Sequence, residues 1–562
     1  MSWSITTWNC SAARSSLKLM AQVHRPAAGK GWPLSVGFLA FLAALPLLAV
    51  VWLAITPTEA LWTHLFSTVL PNYLYNTLVL GLGVSIGVLL VGIPLAWMVS
   101  VYDFPGRRWL DRALFLPLAM PTYLIAFVYT DFLDYAGPIQ TLLRDTFGWT
   151  NPKAYWFPTI RSLGGGMVVL TLCLYPYVYW LARAAFIGRG ARQIEAARLM
   201  GEGAFGAFRR IGLPLARPAL AAGVLIVWME TVNDIGAVEH FGIQTLTVGI
   251  FDVWLHLGRP GAAAQIALVL LTLVVLLATA ERLARGGRRY HTENTGTADR
   301  RRLSRPAGLL TACLLFLPLL AGFLVPAGRL LYYAVGRLEQ DSFATFWTLA
   351  VHSVTLSAMA AVLCVVGALI LAYGTRLYPR PSIRHGVRFA TLGYGIPGAV
   401  LALGILTLTT TADLRMADVT EWLGGTPAAI LGGTVFALVF ALSVRFLALA
   451  YGTVDAGLQR VTPSMDDAAR MLGAGPGTAL IRVHLPLLKG SWLTAAALVF
   501  VDSMKELPMT LLLRPFNYET LATHVYQLAS DERLEASALS ALAIVVVGIG
   551  PVLLLGRATQ QK

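Results

Sequence analysis

Apolar runs of about 20 residues recur along the whole chain, which constrains the fold more than any other feature. Each run is long enough to cross a hydrocarbon core of about 30 Å as a helix. Inside that core every backbone N–H and C=O needs an internal partner, so only helices and closed barrels can span it. A barrel would show short segments of alternating polarity, and the sequence has none of that pattern. Twelve spans are read, at 33–55, 74–101, 111–130, 163–187, 217–239, 261–281, 307–327, 347–373, 387–410, 427–450, 490–513 and 535–556. The expected fold is an all-α polytopic membrane protein lying in the lipid bilayer.

Composition agrees. The 562 residues are 57% hydrophobic and 13% charged, whereas a soluble chain carries about a quarter charged residues. The net charge of +14 does not call for nucleic acid. Lys and Arg gather in cytoplasmic loops. With the N-terminus inside, and each residue counted with its nearer face, 33 of the 43 lie on the cytoplasmic side. Both termini are therefore expected in the cytoplasm. Cys10, Cys173, Cys313 and Cys364 form no CxxC pair, so neither a disulfide framework nor a zinc site is expected. Residues 1–31 read as a cytoplasmic N-terminal segment without a clear fold, with Met20 as an alternative start. The run beginning at Trp32 is too long for a signal-peptide core and is read as a retained first helix.

An Arg-rich linker at 282–306 separates two six-span halves, 32–281 and 307–556, with a short tail at 557–562. An even number of spans returns the chain to its starting side, so the halves form a parallel repeat. Asn76-Thr77-Leu78 matches His352-Ser353-Val354, and Met120-Pro121-Thr122 matches Ile396-Pro397-Gly398, both 276 residues apart. Further on the separation falls to 272, which places a four-residue loss between them. The long external loop 131–161, set against a short counterpart near 411–426, is the expected place.

The repeat carries a duplicated polar insertion. Glu195, Ala196 and Ala197 are followed by Gly201, then Leu213 and Pro214; Asp467, Ala468 and Ala469 are followed by Gly473, then Leu485 and Pro486. Every pair is 272 residues apart (467 less 195). Good helix formers precede each Gly, Gly accepts the left-handed conformation that ends a helix, and Pro disfavours helix at the residue before it. The expected product is a helix–Gly–helix elbow on the inner face. Its small Ala surface permits close backbone approach, and its one acidic residue can orient a basic partner. An ordinary amphipathic connector explains one copy, but explains two copies at identical spacing less well.

This pattern resembles the EAA–Gly–Ile-x-Leu-Pro signature of MetI-like ATP-binding-cassette importer permeases. The resemblance covers roughly 70–280 and 345–556. The first copy fits fully; the second has Asp467 for Glu and Val483 for Ile. In that family the elbow is a coupling helix that docks in a groove of an ATPase subunit. Two elbows in one chain resemble the fused permeases of ferric-iron and thiamine importers. The stretch Asp502-Ser-Met-Lys505-Glu506-Leu-Pro508, with Asp531-Glu532-Arg533 beyond it, is most similar to the ferric-iron branch. The resemblance implies two cytoplasmic ATPase subunits and a periplasmic substrate-binding protein as partners. The chain has no Gly-x4-Gly-Lys-[Ser/Thr] phosphate loop of its own. No cofactor is expected in it, and ATP and Mg²⁺ are assigned to the partner ATPase.

Charges inside a membrane are costly and mark pathways. At the 272-residue separation Glu230 matches Asp502 and Asp234 matches Glu506. Read as i, i+4 neighbours on one helix face, each half offers a carboxylate pair to the seam. Carboxylate oxygen suits a hard cation, while helix-end pairing with Lys505 or Arg514 is the structural alternative. Tyr175, Tyr177 and Tyr179 are read as packing rather than a stacking surface, and His240 and His256 as structural. The rival classes are an ion-driven secondary transporter, which has no use for duplicated elbows, and a membrane-embedded enzyme, for which no converging catalytic set is found.

Overall fold

The computed structural model describes residues 31–56, 65–187, 193, 200–285, 300–337, 343–423 and 431–558. Residues 1–30, Glu195, Ala196 and Ala197, the linker interior 286–299 and the tail 559–562 lie outside the described residues.

The first half contains α1 (Gly31–Ile55), α2 (Leu70–Val101), α3 (Thr122–Leu133), α4 (Leu163–Ile187), α5 (Leu213–Asn233) and α6 (Pro260–Arg285). The second contains α7 (Arg305–Arg337), α8 (Phe343–Leu377), α9 (Gly398–Trp422), α10 (Val435–Leu458), α11 (Lys489–Met504) and α12 (Leu534–Ala558). Among the described residues ten helices are long and apolar enough to span a membrane, and two bent pairs bring the number to 12. The only strands described are β1 (Tyr102–Asp103) and β2 (Arg301–Arg302), paired in parallel, which fasten the end of the linker to the end of α2.

The halves are interlocked. α1 packs on α9 and on the 381–390 helix of the second half, as well as on its own α6. α7 packs on α3 and the 107–119 segment of the first half, as well as on its own α12. Glycine lets these crossings close: a Cβ on Gly404 would lie 2.1 Å from the Pro46 carbonyl oxygen. Polar contacts pin α7 as well, since Arg329 Nε and the Tyr333 hydroxyl donate to the Asp131 carboxylate at 2.9 and 3.0 Å. Leu34, Phe38, Phe41, Leu48 and Trp52 of α1 stay exposed, as expected of a helix facing lipid.

Four of the expected spans are not straight. The span read at 111–130 turns by 91° between the 107–119 segment and α3. Met120 there is extended (φ −95°, ψ 117°), because Pro121 disfavours helix at the residue before it. The span read at 387–410 breaks at the matching place, where Ile396 precedes Pro397 (φ −94°, ψ 129°). The span read at 217–239 stops at Asn233, and the one read at 490–513 stops at Met504. In each case a short helix follows, Gly236–His240 and Pro508–Leu513. A hydropathy window averages over such breaks because the flanking residues remain apolar. The stretch after α3, expected to be external, holds its own helix, Pro138–Phe147, whereas α9 runs unbroken to Trp422.

Candidate functional site: a charged seam and two elbows

The four breaks meet in the middle of the molecule. They line a cavity of about 110 Å³ with Glu230, Asn233 and Asp234 from the first half and Tyr394, Arg445, Asp502, Lys505 and Glu506 from the second. All four carboxylates named from the sequence therefore lie at one place, although the helix-face argument that paired them fails. α5 ends at Asn233, so Asp234 is the extended residue beyond it (φ −69°, ψ 125°), and Glu506 likewise lies past the end of α11. These two residues work as caps. Asp234 Oδ1 accepts the N–H groups of Ala237 and Val238 at 2.9 and 3.3 Å, and its other oxygen accepts the Thr122 hydroxyl. Glu506 accepts the N–H groups of Met509 and Thr510 at 3.0 and 3.1 Å. A carboxylate at a helix start satisfies backbone donors that have no partner within the helix.

Glu230 and Asp502 are freer, and among the described residues each has one close side-chain partner. The Tyr394 hydroxyl donates to Glu230 Oε1 at 3.1 Å across the seam, and Lys505 Nζ stands 2.9 Å from Asp502 Oδ1. The halves also exchange contacts reciprocally at matched positions. Asn233 Oδ1 accepts the Gly398 N–H at 2.6 Å and Arg445 Nη1 at 2.9 Å from the other half. Its repeat counterpart Lys505 reaches the Leu118 carbonyl of the first half at 3.4 Å. Gly398 stands where the first half has Thr122 because Arg445 crowds it: a Cβ there would lie 2.8 Å from Arg445 Nη1. Among the described residues no group of three His, Cys, Asp or Glu side chains is arranged to hold a metal ion.

Arg445 was missed by sequence reasoning. A lone Arg in an apolar span is itself a signal, but it was counted only toward the charge of the inner face. The buried pair of Arg183 and Asp111, bridged at 2.6 Å and joined by the Tyr179 hydroxyl at 2.8 Å, was missed in the same way. Tyr175 and Tyr179 are fully buried, and Tyr177 lines the cavity. His240 packs edge-on to Phe127, and His256 stands 3.2 Å from Asp252.

The elbows lie at the other end of α5 and α11. Gly201 and Gly473 both have positive φ, +92° and +77°, the conformation that favours glycine. Beside them Met200, Met471 and Leu472 are strongly exposed. Asp467 is exposed on the helix Pro463–Met471, which Ala468 and Ala469 continue. The expectation that Pro214 and Pro486 end a helix is not met, since Leu213 and Leu485 are helical. A wide π turn precedes each proline, at 208–212 and 480–484. Its looser winding leaves room for a ring that would otherwise clash with the preceding turn.

Beyond this shared plan the elbows differ. In the first, helix runs from Ala204 to Asn233 without a sharp bend. Trp97 of α2 packs edge-on against Phe186 and Phe208 there, and a Cβ on Gly212 would lie 2.7 Å from its ring. In the second, the chain bends by 79° between the 476–487 segment and α11. That elbow is gripped by the end of α8. Arg376 Nε donates to Asp466 Oδ2 at 2.8 Å, and its other nitrogens donate to the carbonyls of Leu458 and Val461 at 2.7 and 2.9 Å. His484 Nε2 lies 2.7 Å from the other Asp466 oxygen, and the Tyr373 hydroxyl donates to the Pro476 carbonyl at 3.0 Å.

Interlocked halves, a charged central seam and twin elbows at the far ends of the seam helices describe a transport permease. Comparison with known proteins agrees. The model of the family described as "Binding-protein-dependent transport system inner membrane component" matches residues 89–285 and again 364–560. The chain belongs to that family: it is a fused two-repeat permease of the MetI-like importer class, multi-pass in the inner membrane. It is 26% identical to the Fe(3+)-transport system permease protein FbpB 2 of Haemophilus influenzae over 538 residues, covering 93% of this chain and 98% of that one. A probable ABC transporter permease protein, y4fN of Sinorhizobium fredii, is 24% identical over 84% of each chain. The sulfate transport system permease protein CysW of Escherichia coli is 32% identical over 27% of this chain and 49% of its own.

Proposed function

We propose that this chain is the permease of an ATP-driven importer whose cargo is ferric iron. The observation that carries the cargo is the end-to-end likeness, both halves included, to a protein named as an Fe(3+) permease. The sulfate relative matches about a quarter of the chain. Two cytoplasmic ATPase subunits dock at the two elbows, one at Glu195–Gly201 and one at Asp467–Gly473. They hydrolyse ATP with Mg²⁺ and move the seam; this chain carries out no catalysis. Both termini lie on the ATPase side. A periplasmic binding protein delivers the cargo at the opposite face.

In this reading the seam is a pathway and not a storage site. Glu230 and Asp502 face it from matched positions, and Tyr394 and Lys505 occupy them while it is closed. Opening separates the halves and removes the contact between Tyr394 and Glu230, which leaves oxygen ligands suited to a hard cation in transit. Specificity then belongs to the receptor. The test is ATPase activity of the reconstituted complex with the receptor empty, ferric-loaded or thiamine-loaded. Stimulation by the ferric-loaded receptor alone supports the proposal, and stimulation by thiamine overturns the cargo.

A further inference from the structure

We propose that the two elbows drive the seam through different levers: the first pushes along α5, and the second works through α8, with Arg376 as the positioning residue that joins elbow to lever. The inference rests on the reading of the elbows as ATPase docking elements.

The first argument is continuity. A helix passes a push along its axis where its course stays straight, and loses it where the axis turns sharply. From the first elbow helix runs from Ala204 to Asn233, through the π turn at 208–212 and past Pro214 and Pro218, without a sharp bend, and ends beside Glu230 and Asp234. From the second elbow it is interrupted at Leu488 (φ −89°, ψ 7°), where the chain turns by 79° before α11 starts. Trp492 Nε1 donates to the Leu485 carbonyl at 3.2 Å and so satisfies an acceptor freed by the break. A push on the second elbow is therefore not delivered along α11.

The second argument is the clamp. Arg376 ties the end of α8 to both sides of the turn before the elbow helix, through the Leu458 and Val461 carbonyls, and to the elbow helix itself through Asp466. Tyr373, one turn back on α8, holds the next short helix at the Pro476 carbonyl. α8 then runs 35 residues without interruption. It packs on α10 and α11, and Ser353, near its far end, accepts the Leu521 N–H at 2.8 Å. The second elbow is thus bolted to a full-length lever that lies against the seam helices.

The repeat provides the control. Arg376 matches Ser100 and Asp466 matches Ile194, at separations of 276 and 272 residues. Neither side chain of that pair can form an ion pair, and among the described residues the Ser100 hydroxyl has no partner. His484 matches Gly212, which lies against Trp97. The half whose elbow-to-seam helix does not bend sharply lacks the clamp residues, and the half whose helix turns by 79° has them.

The experiment measures cargo moved per ATP hydrolysed in proteoliposomes holding the full complex, with Arg376→Met, Asp466→Asn and Arg376→Lys. Arg376→Met and Asp466→Asn are expected to lower that ratio by at least about fivefold, the low end of a typical coupling free energy. In Arg376→Met, which lies outside the elbow, assembly with the ATPase and basal hydrolysis stay near wild type, and Arg376→Lys, which keeps the charge but not the fork, falls between. A ratio unchanged in both Arg376→Met and Asp466→Asn overturns the proposal. So does a transport loss that merely follows the amount of assembled complex, which would make the clamp a stability element only. Failure of the wild-type chain to bind any ATPase removes the underlying reading instead, and is seen before any variant is made.

Discussion

The two elbows share a sequence pattern and a glycine with positive φ, yet they are fastened to the membrane helices in opposite styles. The first rests on an apolar joint, Trp97 against Phe186 and Phe208, and continues into its seam helix. The second bends away from its seam helix and is held by an ion pair and a fan of carbonyl contacts from Arg376. The difference teaches that a duplicated motif keeps its glycine turn without keeping the linkage behind it. Once both halves are fused in one chain, each position drifts separately. Asn233 and Lys505 show the same drift at the seam, as do Thr122 and Gly398.

The largest effect should come from abolishing what the elbows have in common. Replacing Gly201 and Gly473 together with Val places β-branched residues at positive φ, at a cost of about 1–2 kcal/mol each. The expected outcome is loss of transport with normal membrane insertion, read by uptake and by the amount of folded protein in the membrane. Normal uptake in the double variant would remove the elbows from the mechanism.

The comparison is sharpened next by softening the other lever. Ala221→Gly with Ala222→Gly in α5 costs about 1 kcal/mol of helix stability per site. If α5 is the first lever, this pair lowers cargo moved per ATP even though Arg376 is intact. An unchanged ratio would leave the continuity of α5 without mechanical meaning.

At the seam, Gly398→Ala forces a methyl group against Arg445 Nη1, 2.8 Å from the ideal Cβ, and disturbs the contact with Asn233. Removing one partner of a buried charge is strongly destabilising, so a loss of about 1–3 kcal/mol is expected for the disturbed contact. Thr122→Ala at the matching position of the first half should cost less, because the Asp234 caps on Ala237 and Val238 remain. Thermal unfolding in detergent checks both; equal losses would contradict the asymmetry described for the seam. The smallest effect is expected from Tyr394→Phe, which deletes one hydrogen bond to Glu230 worth about 0.5–1.5 kcal/mol. A modest change in uptake rate is the predicted result, and complete loss would make Tyr394 part of the pathway in its own right.

Much of this was legible in the sequence for identifiable reasons. Hydropathy shows which segments cross the membrane, since burying polar backbone in lipid leaves no alternative to a helix there. Gly201 and Gly473 could be placed because a required positive φ leaves a residue-type trace. The breaks at Met120-Pro121 and Ile396-Pro397 were visible as a repeated motif but were read as span interior, because a window average does not register a lost hydrogen bond. The pairing of Glu230 with Asp234 failed because an i, i+4 argument assumes that the helix continues, and α5 ends between them. Arg376 was invisible as an individual, and Arg445 stood out only as a lone charge in an apolar span, with no sign of what it pairs with. Their roles depend on Asp466 and Asn233, 90 and 212 residues away, and nothing local announces such a partner.

The most direct test of the account is cargo uptake into proteoliposomes that hold this chain with its ATPase and binding protein, energised either by ATP or by an imposed ion gradient. The account predicts uptake of ferric iron from the loaded binding protein with ATP on the elbow side, and none with the gradient alone. Uptake driven by the gradient without any ATPase would contradict it and establish a secondary transporter in its place.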